Sequence, residues 1–151
     1  MMKLTARLSY FQLAPKAFQS LLGFSGAIRK DVLGARLTDL VFLRVSQING
    51  CAYCIDMHWR DLLKQDAEPR HLNAVAGWRE APFFSERERA ALNWAEAVTS
   101  RSHHATNDGE FARLRAIFSD EEIAELGFAI AAINAWNLLN LGFRNPVPEK
   151  A

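Results

Sequence analysis

The chain has 151 residues, with 18 Lys and Arg against 17 Asp and Glu, and half of the residues are hydrophobic. These values predict a single globular domain over residues 1–151 that can bury about 70% of its unfolded surface without a disulfide or a structural metal. A formal net charge of +1 gives no field that would attract nucleic acid or an anionic membrane, so neither is expected as a partner.

The N-terminal half of the chain predicts three helices. Charges at Lys3 and Arg7 interrupt the first residues, which argues against a secretory signal and for a cytoplasmic, reducing location. Apolar residues then recur at helical spacing from about Pro15 to Ile28 and again from about Arg36 to Ile48. A third helix is expected to begin at or just after Gly50, because Asn-Gly is a typical break between elements.

The C-terminal half predicts four more helices, and no segment alternates apolar and polar residues long enough to predict a strand. Capping boxes at Ser85 and Ser119 mark two of the helix starts. The last helix is expected to be deeply buried, and its longest apolar stretch, Leu126 to Ile133, is far shorter than the ~20 residues of a membrane span. The fold class is therefore all-α, a bundle of about six to seven helices. The expected C-terminal ranges are about 70–79, 85–100, 109–117 and 119–141.

Three reactive side chains are spaced to share one face of the third helix. Cys51 and Cys54 are three residues apart, so their sulfurs lie on adjacent turns and can form a small-ring disulfide. Closing so short a loop constrains little of the unfolded chain, which favours a redox role over a structural one. His58 follows Cys54 by four residues, which places its imidazole on the same face.

The position of this motif also favours reactive thiols. In the first turn after Gly50, unpaired N–H groups and the helix dipole stabilise a thiolate, the reactive form of cysteine. The imidazole of His58 can accept a thiol proton and return it to a leaving oxygen near neutral pH. The nearest carboxylates that could orient this imidazole are Asp39, Asp56 and Asp61, although Asp56 should face away from it.

Two other interpretations of the cysteines are open. Cys51, Cys54 and His58 could be zinc ligands, but a structural zinc site requires four, and the sequence shows no clear fourth ligand. Both cysteines could instead be inert members of the core, as buried free cysteines often are.

The last helix carries two amides in apolar surroundings. Asn134 and Asn137 each need a hydrogen-bond partner if this helix is buried. Another helix, another subunit or a substrate could supply that partner.

The chain resembles the alkylhydroperoxidase D-like family of the carboxymuconolactone decarboxylase superfamily. The resemblance lies in residues 39–41 (DLV), 44–58 (RVSQINGCAYCIDMH), 78–89 (WREAPFFSERER) and 132–137 (AINAWN), so the motif-bearing core covers about 36–141. It implies an all-helical fold that associates into homotrimers or homohexamers. The family motif of an acidic residue, two cysteines and a histidine falls on Asp39, Cys51, Cys54 and His58. The family usually has Glu at the acidic position, so the shorter Asp39 is expected to reach His58 through a water.

The resemblance implies a thiol peroxidase or disulfide reductase that reduces organic hydroperoxides or relays electrons from a lipoyl-type dithiol to a peroxiredoxin partner. His58, oriented by Asp39, would take the proton of Cys54, whose thiolate attacks the peroxide, and Cys51 would then close the disulfide. The helix dipole slightly favours Cys51 as the attacker, whereas His58 and the resemblance favour Cys54. No phosphate cradle, flavin motif or nicotinamide fingerprint is visible, so no bound cofactor is expected and an external dithiol must reopen the disulfide.

Two other functions are compatible with the sequence. One is a decarboxylase or lactone-processing activity of the same superfamily, in which the cysteines are incidental. The other is a non-enzymatic thiol redox sensor, whose disulfide changes its assembly or its partner.

Overall fold

The computed structural model describes residues 4–149, and helices make up most of it. Within that range the chain forms nine α-helices, a 3₁₀ turn at Val75–Gly77 and no β-strand, so the all-α class is confirmed. Six of these helices have eight or more residues, in keeping with the number expected. The bounds are α1 (Tyr10–Leu13), α2 (Pro15–Ala27), α3 (Lys30–Leu33), α4 (Ala35–Asn49), α5 (Ala52–Leu63), α6 (Pro69–Asn73), α7 (Glu86–Thr99), α8 (Asp108–Arg115) and α9 (Asp120–Phe143).

The helices expected from periodicity begin and end within about two residues of these bounds, with one exception. The helix expected over 70–79 stops at Asn73 and continues only as the 3₁₀ turn. Beyond that turn, the guanidinium of Arg89, on α7, donates to the carbonyl oxygens of Arg79 and Ala81, and no helix continues there. The four-residue helices α1 and α3 are absent from the prediction because so short a segment shows no periodicity.

The helix α4 lies at the centre of the fold, where it packs against α5, α7 and α9. Its side chains divide between two buried clusters. Val41 and Val45 belong to a cluster that includes Cys51 and Cys54 together with residues of α7 and α9. Leu40 faces a second cluster, formed with α5, α6 and α7. The two cysteines are therefore part of the main core.

The helix α9 is the longest and packs against α2, α3, α4, α5, α7 and α8. In the described range it is the one helix long and apolar enough to cross a membrane, with a mean hydropathy of 1.4 in its most apolar window, so the sequence-based exclusion by length was wrong. A core helix has the same composition, and α9 packs as one along the side that includes Leu126 and Ile130. Its opposite side carries Phe128 and Leu138, which are 59% and 66% exposed, so the expected deep burial is wrong for that side.

The segment over residues 4–14 is fastened to the end of α9. The backbone N–H of Arg7 donates to the Phe143 carbonyl at 2.9 Å, and Arg144 Nε donates to the Thr5 carbonyl at 3.0 Å. The ring of Tyr10 stacks on Phe143, with 4.9 Å between the ring centroids. Neither α1 nor α2 contains a buried residue, so this N-terminal segment covers the fold without forming its core.

The capping box at the start of α9 gives a stability prediction. Ser119 Oγ accepts from the Glu122 N–H at 3.2 Å, and the Glu122 carboxylate accepts from the Ser119 N–H at 2.8 Å. Replacement of this serine, Ser119→Ala, is expected to lower the free energy of unfolding in urea by about 1 kcal/mol. The matched control is Ser9→Ala, since Ser9 stands at the N-cap of α1 without a side-chain cap bond. Equal losses in the two variants would contradict a stabilising role for the box.

Candidate active site

A glycine turn places the two cysteines. The helix α4 ends because Gly50 adopts a left-handed conformation, with φ 72° and ψ 26°. The Gly50 N–H donates to the Gln47 carbonyl at 3.2 Å, and the Cys51 N–H donates to the Ser46 carbonyl at 3.0 Å. This pair of bonds is a Schellman motif, which reverses the chain directly into α5. Cys51 is therefore the N-cap of α5, one position before the first turn in which it was expected, and Cys54 lies in that turn.

Both cysteines are free thiols and both are buried, with exposed fractions of 1% for Cys51 and 0% for Cys54. The Cys54 thiol donates toward Cys51, and this contact lowers the pKa of Cys51 to about 7, although burial opposes the change. The same contact, together with burial, raises the pKa of Cys54. Above about pH 7 the pair therefore holds one proton, with the thiolate on Cys51 and the thiol on Cys54.

Amide side chains of α9 surround the dithiol on its other side. Asn140 donates from Nδ2 to Cys54 Sγ at 3.3 Å, and hydrogen bonding from Asn137 acts to lower the pKa of both thiols. Asn49 at the end of α4 holds the asparagine side chains of α9 in place, because it donates to Asn137 and to Asn134 at 2.9 Å each. The hydrogen-bond partners of Asn134 and Asn137 therefore include a residue of the neighbouring helix α4.

His58 lies one turn beyond Cys54 and is buried, with 7% of its surface exposed. Burial lowers its pKa to about 4, and the charges of Asp39 and Asp61 oppose this only in part, so the imidazole is neutral at physiological pH. Its Nδ1 lies 3.9 Å from Asp39 Oδ1 and 3.9 Å from Asp61 Oδ2, and it has no hydrogen-bond partner in the described part of the chain. Because Nδ1 faces the carboxylates, Nε2 is the nitrogen left to face the cavity that His58 lines.

Asp39 lies beside His58, but its direct partners are two residues that the sequence analysis did not single out. Lys30 Nζ donates to Asp39 Oδ1 at 2.8 Å, and Gln65 Nε2 donates to Asp39 Oδ2 at 2.6 Å. The 3.9 Å distance from Asp39 to His58 is longer than a hydrogen bond, in line with the short side chain of aspartate. Asp39 therefore acts on the imidazole through its charge.

The other acidic candidates occupy different positions. Asp56 pairs at 2.8 Å with the arginine one turn later, which turns it away from His58. The ligating atoms of Asp39, His58 and Asp61 lie within 4.8 Å of one another, and they form the one such group found over residues 4–149. Neither sulfur belongs to this group, and the ammonium of Lys30 already contacts Asp39. The zinc arrangement considered from the sequence, two cysteines with His58, is therefore not assembled in the described residues.

A cavity of about 620 Å³ lies beside the dithiol, with α1 and α2 forming its outer side. Near the cysteines it is lined by Tyr53, Met57, His58 and Asn140. The sulfurs do not line it, but Asn140 contacts Cys54 directly. The volume is within the range of small-molecule binding sites.

Three polar residues of this site were missed from the sequence. Lys30 and Gln65 lie nine residues before and 26 residues after Asp39, and no local pattern marks either of them. Asn140 could have been found, because it follows Asn137 by three residues on the same apolar helix and so shares its face.

Comparison with known proteins identifies the class of the chain. The family model for the carboxymuconolactone decarboxylase family matches residues 15–97. YdfG of Bacillus subtilis (strain 168), an uncharacterised protein, is 29% identical over 147 residues, which are 97% of this chain and 100% of YdfG. The chain therefore belongs to the carboxymuconolactone decarboxylase family.

Two solved structures place it more closely. A protein of unknown function from Agrobacterium tumefaciens, proposed to be the antioxidant defence protein AhpD, is 38% identical with a TM-score of 0.91, and the match covers 97% of this chain and 100% of that one. A peroxidase-related protein with an alkylhydroperoxidase AhpD core, from Ralstonia eutropha JMP134, is 22% identical with a TM-score of 0.82 and coverages of 93% and 75%. The fold is AhpD-like, as the resemblance implied.

The shared proton of the dithiol can be measured directly. The reduced protein is expected to gain one thiolate with a midpoint near pH 7, read from the ultraviolet absorbance of thiolates. The variant Cys54→Ala removes the donor that lowers the pKa of Cys51, so its midpoint should move to higher pH. The same midpoint in Cys54→Ala and in the wild type would contradict proton sharing.

The neutral, buried His58 predicts a loss of stability in acid. Between its ordinary pKa of 6.5 and its folded pKa of about 4, the unfolded chain binds a proton at this residue and the folded chain does not. The free energy of unfolding should therefore fall as the pH falls through this window, by about 3 kcal/mol for this residue. In His58→Gln, the free energy of unfolding should lack this part of its pH dependence. In His103→Gln, whose substitution lies in an exposed loop, the pH dependence should be unchanged. A slope unchanged in His58→Gln would count against the burial argument.

Proposed function

We propose that the protein is a thiol-dependent peroxidase that reduces organic hydroperoxides to alcohols. The observation that carries this proposal is the pair of free thiols at the start of α5, Cys51 at the N-cap and Cys54 in the first turn, where contact with Cys54 lowers the pKa of Cys51. Such a pair can both attack and be oxidised to a disulfide. The 38%-identical protein from Agrobacterium tumefaciens, proposed to be an antioxidant defence protein, is in keeping with this function.

Cys54 is the attacking sulfur in this proposal. It contacts Asn140, which lines the cavity, so one side chain separates this sulfur from an incoming peroxide. As Cys54 attacks the distal oxygen, its proton passes to Cys51, the O–O bond breaks and the proximal oxygen leaves as an alkoxide. A solvent proton, passed on by His58, converts the alkoxide to an alcohol. The products of this step are a sulfenic acid on Cys54 and a thiol on Cys51.

The second step closes the disulfide. The Cys51 sulfur attacks the sulfenic sulfur of Cys54, and the hydroxyl leaves as water with the Cys51 proton. In sum, one dithiol and one hydroperoxide give one disulfide, one alcohol and one water, with two electrons passing from sulfur to the O–O bond. An external dithiol then restores both thiols through a mixed disulfide.

His58 has a different role here from the one expected from the sequence. With a pKa of about 4 it is too weak a base to ionise Cys54, so that proton goes to Cys51 instead. The neutral imidazole relays a proton to the leaving oxygen on the cavity side. Asp39, held by Lys30 and Gln65, positions the ring through its charge.

The expected partners remain part of the proposal. We expect the external reductant to be a lipoyl-type dithiol, with a peroxiredoxin as a second redox partner, and a cytoplasmic location. The exposed apolar side of α9, with Phe128 and Leu138, is the kind of surface that a homotrimer or homohexamer would cover.

Turnover of an organic hydroperoxide with dihydrolipoamide tests this function. Cys51→Ser and Cys54→Ser should each lower the rate at least about a hundredfold, because neither can form the disulfide. The value of kcat/KM for the wild type should rise with pH around a midpoint near 7, as Cys51 ionises. A dimedone-type probe should trap a sulfenic acid in Cys51→Ser, and His103→Gln serves as the control with unchanged turnover. Labelling confined to Cys54→Ser would reverse the roles of the two cysteines.

Other outcomes would favour the alternative functions. Full activity on a lactone or carboxylic acid substrate after Cys51→Ser would indicate the decarboxylase or lactone-processing class. Reversible oxidation of the dithiol without peroxide turnover would indicate a redox sensor.

A further inference from the structure

The cavity that reaches His58 and Asn140 has six aromatic residues in the part of its lining that the structure describes. Phe18 lies at the centre of this lining, with its ring centroid 6.0 Å from each of the rings of Tyr10, Phe11 and Trp136. Trp136 is fixed by a hydrogen bond from its Nε1 to Ser25 Oγ at 2.6 Å. The aromatic residues of the lining are Tyr10, Phe11, Phe18, Phe42, Tyr53 and Trp136.

Three of these rings belong to helices that have no buried residue. Tyr10 and Phe11 lie on α1 and Phe18 lies on α2, and Phe11 is 47% exposed. The contacts of Arg7 and Tyr10 with the end of α9 hold this segment over the cavity. An apolar ligand in the cavity would remove these ring faces from water, which is a source of binding energy that the protein alone does not use.

The charge of the lining restricts the ligand further. Lys30 is its one formally charged side chain, since His58 is neutral and no Asp or Glu lines the cavity in the described residues. The Lys30 ammonium donates to Asp39 and lies 5.6 Å from the Phe42 ring, and its side chain is 45% exposed, so it retains N–H groups for a ligand. A cationic ligand would lose water without meeting an anionic partner, whereas a neutral or anionic one would meet donors.

We propose that this cavity binds the aromatic ring of an aryl-substituted hydroperoxide that carries no positive charge, with the O–O group at His58 and Asn140. The inference that the ligand carries a hydroperoxide group depends on the proposed function. The preference for a ligand with an aromatic ring and no positive charge depends on the cavity alone. The reaction is the one balanced above: the dithiol reduces the aryl-substituted hydroperoxide to the corresponding aryl-substituted alcohol and water, and is itself oxidised to the disulfide.

Binding of unreactive ligands tests the cavity without any chemistry. The probes are 2-phenyl-2-propanol, its saturated analogue 2-cyclohexyl-2-propanol, and the benzyltrimethylammonium cation, each titrated calorimetrically into the reduced protein. The phenyl alcohol should bind about threefold to tenfold more tightly than the cyclohexyl alcohol, since aromatic pairing adds to simple apolar burial. The cation should bind at least about tenfold more weakly than the phenyl alcohol.

A pair of matched variants locates the effect. Phe18→Leu keeps an apolar side chain but removes the central ring, so it should reduce the preference for phenyl over cyclohexyl. Phe111→Leu is the control, because Phe111 packs against Trp94 away from this cavity, with 5.6 Å between the rings. Thermal melts establish that both variants are folded, and if Phe18→Leu is not, the three-ligand comparison on the wild type decides.

The outcomes separate this inference from the proposed function. Equal affinity for the phenyl and cyclohexyl alcohols, preferred binding of the cation, or equal effects of Phe18→Leu and Phe111→Leu would each overturn the aryl site. Phenyl-selective binding without turnover of cumene hydroperoxide would support the aryl site and contradict the peroxidase. Turnover of the peroxide without phenyl-selective binding would support the peroxidase and contradict the aryl site.

Discussion

A thiolate in an apolar core is stable only if hydrogen-bond donors compensate for the water that it loses, and this constraint organises the site. Burial alone would raise the pKa of Cys51, yet that pKa is about 7 because donors surround the sulfur. The Cys54 thiol contributes most, followed by the Cys54 backbone N–H and the amide of Asn137. All three donors are uncharged, so the site holds a negative charge in its core by means of oriented dipoles.

These donors depend on how two helices are joined to their neighbours. The left-handed Gly50 sets Cys51 at the N-cap of α5, where the backbone of Cys54 acts to lower the pKa of Cys51. Asn137 is fully buried, accepts from Asn49 and donates to Ser46, so one side chain both ties α9 to α4 and acts on the sulfurs. The packing of α4 on α9 and the ionisation of the dithiol are therefore coupled through the same amide.

The parts of the fold that could be predicted from sequence are those set by local interactions. The capping boxes at Ser85 and Ser119 and the glycine after α4 act within a few residues, so they fix helix ends in the sequence itself. The turn that follows the 3₁₀ segment is different, because Arg89 on α7 donates to the Arg79 and Ala81 carbonyls. The exposed side of α9 is also invisible in the sequence, since apolarity does not reveal which side of a helix packs.

The same division holds within the candidate site. Cys54 and His58 lie one turn apart on α5, and Cys51 is its N-cap, so their order along the helix follows from spacing alone. The partners of Asp39 come from α3 and from the segment after α5, and no spacing rule connects them. The order in which the two thiols ionise depends on which sulfur accepts from which donor, and that is decided by side-chain placement in the folded core.

The partners of Asp39 also explain why the imidazole is neutral. A carboxylate bonded directly to His58 would favour a charged imidazolium, and a thiolate–imidazolium pair is one way to activate a cysteine. Here Lys30 and Gln65 take up the oxygens of Asp39, its carboxylate stays 3.9 Å from Nδ1, and the charge of Lys30 lowers the pKa of His58 further. The negative charge on sulfur must then come from proton sharing between the two cysteines. It follows that the dithiol and the imidazole are independent parts of the site, one suited to attack and the other to the departure of the leaving oxygen.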